Sequence, residues 1–350
     1  MTSAQRRWGR TAAAPRPLAL SWWLLLVAAL VFLIIVVGGI TRLTESGLSI
    51  VEWKPVRGII PPLNAEQWQS EFAAYQAIPQ YIELNAHMTL EGFKQIYFWE
   101  YVHRLLARAI GLVLALVVAV FWWQGTIPQG YGRRIIIILL LGGLQGAIGW
   151  WMVTSGLQYR TEVSHIRLAI HLMAALLIFA VILWTVFDLR ALARDPAARP
   201  ARLTGVGAMA LTVLSVQIMY GAFTAGLRAG YAFSSWPKMG ADWFPANTPM
   251  LDPAWLNLFD NPIVVQFIHR WVAFVAAAAL GVLAMRAAKR GGRAAARAVA
   301  ALLLVQILLG IATLLSGVRI DIAVAHQAVA ALLLAASVAS AHALGRYRVF

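Results

Sequence analysis

Glu100-Tyr101-Val102-His103-Arg104 and Gln266-Phe267-Ile268-His269-Arg270 are one five-residue pattern written twice. The first runs directly into an apolar stretch, Leu105–Trp123, and the second opens another, Ile263–Met285. Two further motifs recur in step. Gln145-x3-Gly149-x5-Ser155-Gly156 returns as Gln306-x3-Gly310-x5-Ser316-Gly317, and His171-Leu-Met-Ala-Ala-Leu returns, one residue longer, as His326-Gln-Ala-Val-Ala-Ala-Leu. The copies are 166, 161 and 155 residues apart, a small and monotonic drift. Apolar stretches long enough to cross a bilayer are Leu18–Gly39, Leu105–Trp123, Ile135–Val153, Ile166–Phe187, Leu203–Thr224, Ile263–Met285, Ala298–Leu315 and Ile322–Leu344. The chain therefore reads as an all-α integral membrane protein: eight transmembrane helices in two four-helix bundles. An even number of spans per half makes the halves parallel repeats about an axis along the membrane normal.

Composition agrees. Of 350 residues 61% are hydrophobic and only 12% charged, too few charges to cover a soluble surface. The net charge of +15 invites a nucleic-acid reading, but its distribution points to the positive-inside bias of membrane proteins. The N-tail, Arg133/Arg134, Arg190–Arg202, Arg286–Arg297 and the C-tail together hold 17 of the 29 Lys and Arg, with only Asp188 and Asp195 of the 14 acids in or beside them. Both termini are expected to be cytoplasmic and the long segments Thr41–Trp99 and Ala225–Pro262 outside. The first apolar run is too long for a signal-peptide core and reads as a retained helix. Residues 1–17 form the cytoplasmic N-tail, 18–187 the first half with its long outer loop 41–99, 188–202 a cytoplasmic linker, 203–344 the second half and 345–350 the C-tail. Trp53, Trp68, Phe72, Tyr75 and Tyr81 suggest short interfacial helices in the first outer segment. With no cysteine, disulfides, iron–sulfur ligation and thiolate-bound heme are excluded.

Even-numbered helices enter from outside, and each has one histidine near its start: His103, His171, His269 and His326. His103 and His269 read as lying at or near the entrances, the other two about a turn deeper. One such histidine would ordinarily be a solvated interfacial residue. Four, one per even helix and repeated between halves, favour ligation. Zinc or copper would want imidazoles converging on one small centre, often with carboxylates. Two histidines per half suit an iron whose four equatorial positions are already filled, as in heme between facing helices. Arg42, Arg104, Arg167 and Arg270 are placed to reach porphyrin propionates. His87, His165 and His342 read as structural or solvent-facing. Glu100 precedes His103 by three residues and so shares its helix face, whereas its repeat partner Gln266 cannot ionise. Either Glu100 forms a salt bridge, Arg104 being the nearest partner, or the first half performs chemistry that the second does not. Gln145, Gln217 and Gln306, each four residues before a glycine, read as packing positions, as do Gly38-Gly39 and Gly142-Gly143.

With these residues in view, the chain resembles the heme A synthase family in its mitochondrial and proteobacterial form. Gly38-Gly39-Ile-Thr41-Arg42-Leu-Thr44-Glu-Ser46-Gly47-Leu-Ser49 is similar to that family's opening motif, and Val51-Glu52-Trp53-Lys54-Pro55 with Pro61-Pro62-Leu63 to its first outer loop. Phe93-Lys-Gln-Ile-Tyr97-Phe-Trp-Glu100-Tyr-Val-His103-Arg104 resembles the catalytic helix entrance. Val265-Gln266-Phe-Ile-His269-Arg270 and Ala325-His326-Gln327 resemble the second-half ligand motifs. The resemblance covers about residues 20 to 340. It implies two successive hydroxylations of the heme O C8 methyl to a formyl, giving heme A for terminal oxidases. It places substrate heme O between His103 and His171, heme b between His269 and His326, and Glu100 as the catalytic carboxylate. Expected partners are heme O, the bilayer, heme O synthase, oxidase assembly factors, an electron acceptor the sequence does not name, and a homo-oligomeric copy. The expected location is the bacterial inner (plasma) membrane, with the mitochondrial inner membrane as the alternative. Two departures stand out. The loop cysteine pair of some members is absent, which excludes any thiol mechanism. The segment Ala229–Gly240 also lacks the Asn-Thr pair usual before its proline. The competing readings are a diheme b-type electron-transfer cytochrome without substrate chemistry and, from the parallel repeat alone, a transporter.

Overall fold

The computed structural model describes residues 14–53 and 57–346. Arg6, Arg7 and Arg10 of the N-tail, Lys54 and Pro55 of the loop motif, and Arg348 of the C-tail lie outside the described residues. Among the described residues eleven α-helices follow in chain order: α1 Pro17–Leu43, α2 Ala65–Gln76, α3 Pro79–Leu84, α4 Leu90–Trp123, α5 Gly132–Thr154, α6 His165–Arg194, α7 Gly205–Gly226, α8 Asn257–Asp260, α9 Pro262–Lys289, α10 Arg293–Leu315 and α11 Ile320–Arg346. Eight of them (α1, α4, α5, α6, α7, α9, α10 and α11) are long and apolar enough to span a bilayer, and the chain is a multi-pass membrane protein.

The first four spans close a ring in which α1 packs on α4, α4 on α5, α5 on α6 and α6 back on α1. The last four close a second ring in the order α7, α9, α10, α11. The seam between the rings is made by α1 and α6 against α11, and by α6 against α7. Leu20, Leu24, Ile135, Ile138, Ile182, Leu189, Leu280 and Leu283 are fully buried in one continuous apolar core that crosses the seam. Gly39 matters here: a Cβ on it would lie 2.9 Å from Gln327 Oε1, and through this gap Gln327 Nε2 donates to the Ile35 carbonyl at 2.6 Å. At the exits of α1 and α7, Glu45 and Arg228 both adopt the left-handed backbone region, with φ of 58° and 51°. They form an ion pair at 2.6 Å, and Arg228 also pairs with Glu162. Arg42 reaches the same Glu162 at 2.7 Å and donates to the Ala225 and Gly226 carbonyls. The two rings are thus tied by charge at the face that carries the long segments.

The second span differs from its sequence reading. α4 begins at Leu90 rather than Leu105, so His103 is well inside a continuous helix and not at its entrance. Thr89 accepts from Gly92 N and Glu91 sits in the first turn, a start signal worth about 1 kcal/mol. The outer segment is correspondingly shorter. Its short helices α2 and α3 pack Phe72 and Tyr75, together with Trp68 and Tyr81, on Phe93 and Tyr97 of the α4 extension. Burial raises the Tyr75 phenol above its ordinary value, which keeps it protonated to donate to Gln80 Oε1 and accept from Asn85.

At the opposite face Asp188, 2% exposed, accepts from Arg134 Nη1 at 2.5 Å and Ala201 N at 2.8 Å, and lies 2.9 Å from His342 Nε2. His342 is therefore a structural histidine of the core. His165 is also buried rather than solvent-facing, paired with Asp260 at 3.1 Å, while His87 is exposed. Removing one member of a buried ion pair costs about 3 kcal/mol. Asp188→Ala should lower the thermal unfolding midpoint of the detergent-solubilised protein clearly, and Asp188→Asn by less. An unchanged midpoint in Asp188→Ala would remove this network from the stability account.

Candidate functional site

Each of the four histidines on the even spans lies against a glycine of a neighbouring odd span. A Cβ at Gly149 of α5 would stand 2.9 Å from His171 Cε1. At Gly221 of α7 it would stand 3.0 Å from His269 Cε1, and at Gly310 of α10 it would stand 3.0 Å from His326 Cε1. At Gly38 of α1 the nearest atom is His103 Nε2, at 3.3 Å. All four residues are half-buried, with their rings set against a neighbouring helix. His103 and His171, on opposite corners of the first ring, are within electrostatic range of one another, as are His269 and His326 in the second.

Three of these glycines are preceded by a glutamine one turn earlier, and that glutamine grips the same histidine. Gln145 Nε2 donates to the His171 carbonyl at 2.9 Å and lies 3.2 Å from its Nδ1. Gln217 Nε2 is 3.1 Å from both the His269 carbonyl and its Nδ1. Gln306 Nε2 lies 3.4 Å from His326 Nε2, so that this ring presents its other edge, and His326 Nδ1 is buried without a partner. The sequence reading took these glutamines and glycines for packing. Their grip on histidine depends on neighbouring helices and is invisible along one chain segment.

Glu100 is 3% exposed and fully engaged. Oε2 accepts from Ser49 Oγ at 2.7 Å and Ile50 N at 2.8 Å, and Oε1 accepts from Arg104 Nε at 3.0 Å and Nη2 at 2.7 Å. Arg104 in turn donates to the Ile50 and Glu52 carbonyls. Gln266 occupies the matching place in α9: Nε2 donates to the Ala229 and Phe233 carbonyls, and Oε1 accepts from Arg270 Nη2. Arg270 binds the Phe233, Ser235, Pro237 and Lys238 carbonyls. Both pairs thus clamp a long segment onto its helix. The four arginines expected to meet propionates have many donors committed to protein: Arg104 and Arg270 to these loops, Arg42 to the seam. Arg167 donates to the Trp151 carbonyl at 2.8 Å and stacks over the Trp151 ring, beside a polar recess of about 400 Å3 lined also by Thr154, Gln158, Tyr159 and Ser164. The Nε atoms of Arg42 and Arg270 are buried without partners.

Among the described residues no three His, Asp or Glu side chains converge on a point that would hold a bare metal ion. The donor set comes as pairs of imidazoles. A family model described as cytochrome oxidase assembly protein matches residues 21–338. A protein named heme A synthase from Rhizorhabdus wittichii is 65% identical over 338 residues, covering 97% of each chain. The heme A synthase of Sphingopyxis alaskensis is 52% identical over 336 residues, covering 96% of this chain and 95% of its own. That of Novosphingobium aromaticivorans is 47% identical over 352 residues, covering 96% and 100%. The chain belongs to the heme A synthase family.

In this heme A synthase family member a methyl group at Gly149, Gly221 or Gly310 would stand only 2.9 to 3.0 Å from the histidine ring, which would have to shift. Gly149→Ala and Gly310→Ala should each cost about 1–3 kcal/mol through overpacking against the ring. Gly143→Ala, where a Cβ meets nothing within 4 Å, should be neutral or slightly stabilising. Thermal unfolding of the three variants tests the difference, and equal midpoints would mean that the notches are not tight.

Proposed function

We propose that this chain is a heme A synthase of the bacterial plasma membrane, with both termini cytoplasmic and the long segments outside. On this reading it converts the C8 methyl of heme O to a formyl. The observation that carries the reading is the arrangement of two histidine pairs, His103 with His171 and His269 with His326, each in a four-helix ring and each ring backed by glycine. The fit to porphyrin iron rests on the chemistry of these donors. Neutral imidazoles in twos, without a third protein ligand, suit a metal that brings its own equatorial nitrogens, and the glycine notches let the rings recede to make space for a macrocycle.

His103 and His171 would hold the substrate, heme O. While His103 and His171 both hold the substrate, its iron would offer no open site for oxygen, and the reaction is assigned to water. Methyl plus water gives the alcohol with loss of two electrons and two protons. A second water and a second loss of two electrons and two protons give the gem-diol, which releases water to leave the formyl group. The second pair, His269 and His326, would hold heme b, whose iron supplies a one-electron relay toward an external acceptor. Glu100 is the ionisable group that distinguishes the substrate half. A carboxylate has roughly four acceptor positions, and four donors meet Glu100, so accepting a substrate proton requires one donor to turn away. Ser49 can do this by rotating its hydroxyl, whereas Arg104 and Ile50 N are fixed by helix and loop. Arg104 then keeps the carboxylate aimed while Ser49 yields. The same assignment places heme O synthase and oxidase assembly factors among the expected partners.

General acid–base groups typically contribute about 10²–10⁴-fold. Glu100→Gln should therefore reduce heme O conversion by about 100-fold or more while keeping the loop anchored, since Gln266 anchors the equivalent loop. The check is pigment extraction after expression with a heme O source, together with the thermal midpoint. Full conversion by Glu100→Gln would remove the carboxylate's role. A wild-type protein that binds heme b and leaves heme O unchanged would instead be a diheme electron-transfer cytochrome.

A further inference from the structure

The histidine cradle is built three times out of four. Gln217 and Gly221 of α7 grip His269. The matching pair in α1 follows from two correspondences. Gly38 backs His103 as Gly221 backs His269, and Glu45 takes the left-handed turn at the exit of α1 as Arg228 does after α7. Both place Ile34 where α7 has Gln217. Isoleucine has no polar atom to offer. Consistently, no hydrogen bond to the His103 ring is seen among the described residues. The ring is also turned differently, with Nε2 and Cδ2 nearest Gly38 where the other three histidines set Cε1 on their glycines.

We propose that Gln145, Gln217 and Gln306 are positioning residues that fix the rings of His171, His269 and His326, and that Ile34 leaves His103 as the exchangeable ligand. This rests on the proposed placement of heme O in the first ring and adds a route for turnover there. A positioned imidazole holds iron better because its orientation is set by the surrounding shell. An imidazole free to rotate releases iron more readily. Only the dative bond from the His103 nitrogen breaks, its electron pair returns to the ring, and no electron is transferred. Substrate would enter and product leave on the His103 side while His171 retains hold. In the second ring both histidines are gripped, as a permanent cofactor requires.

Carbon monoxide binding to the dithionite-reduced, heme-loaded full-length protein tests this, because the gas can bind only where an axial histidine leaves. Single-site proteins made with His269→Ala plus His326→Ala, or with His103→Ala plus His171→Ala, assign the two phases. A hydrogen bond to the ligand is worth a factor of about 3–10 in such an equilibrium. The first-ring site should therefore bind carbon monoxide about 3–10-fold faster than the second. Ile34→Gln should slow it by a similar factor, and Gln217→Met should speed binding at the second site. Equal rates in the two rings of the wild-type protein, or second-ring binding unchanged in Gln217→Met, would overturn the proposal. If Ile34→Gln fails to fold, these two comparisons decide alone. Failure of the enzyme reading looks different: heme O stays unconverted while the two rings still differ in carbon monoxide binding.

Discussion

A neutral imidazole inside a bilayer must be held by protein, because no water is available to satisfy its nitrogens or to fix its tautomer. The contact between a histidine ring and a glycine-bearing helix meets that need, and much of the architecture follows from it. Glycine lets the ring lie against the backbone, and a glutamine one turn earlier closes over it. For the glycine contact to occur four times, four helices must carry histidine and four must carry glycine, alternating around two rings. His103 and His171 occupy one diagonal of the first ring, and Gly38 and Gly149 the other.

The eight spans and the four histidines were legible in the sequence because both signals are local: hydropathy over about 20 residues, and one polar residue breaking an apolar run. The first turns of α4 were not. Glu91, Lys94 and Glu100 lower the hydropathy of that stretch, so the span reads as starting at Leu105. The helix in fact continues outward to Leu90, where the α2–α3 cap buries Phe93 and Tyr97 on its other side. The glutamine cradles were printed in the sequence as Gln-x3-Gly and still read as packing, because the histidine each one serves is 20 to 52 residues away. A rule pairing every Gln-x3-Gly on an odd span with the histidine of an adjacent even span would have found all three, and would have singled out Ile34.

Glu100 is a case in which one observation serves two explanations. Its sequence partner Gln266 suggested that only the charge distinguishes the halves. The structure gives both side chains the same anchoring work: each receives the arginine four residues later, and each holds the main chain of a long segment. Anchoring therefore cannot explain why one is a carboxylate. Glutamine does the job at 1% exposure without desolvating a charge, and a buried ion pair is seldom more stable than a neutral equivalent. What remains for the charge is chemistry, or the attraction of Arg104 into a position that Arg270 reaches without it.

The seam adds a constraint on how the two rings communicate. Gln327 follows His326 directly, and its amide crosses to the Ile35 carbonyl through the gap left by Gly39, next to the Gly38 that backs His103. On the α11 side the residue after His326 makes the crossing bond, and on the α1 side it ends on Ile35, three residues before the Gly38 that backs His103. A rotation of α11 that moved His326 would pull on the segment of α1 against which His103 rests. Under the proposed function, one site gives up electrons that the other receives, so a fixed separation between them has direct value. The short amide bridge and the Arg42–Glu162–Arg228–Glu45 cluster hold that separation at two levels, in the apolar core and at the surface bearing the long segments. Mobility is then left to the His103 side chain, where no glutamine closes the notch and a ring can turn without disturbing the helices around it.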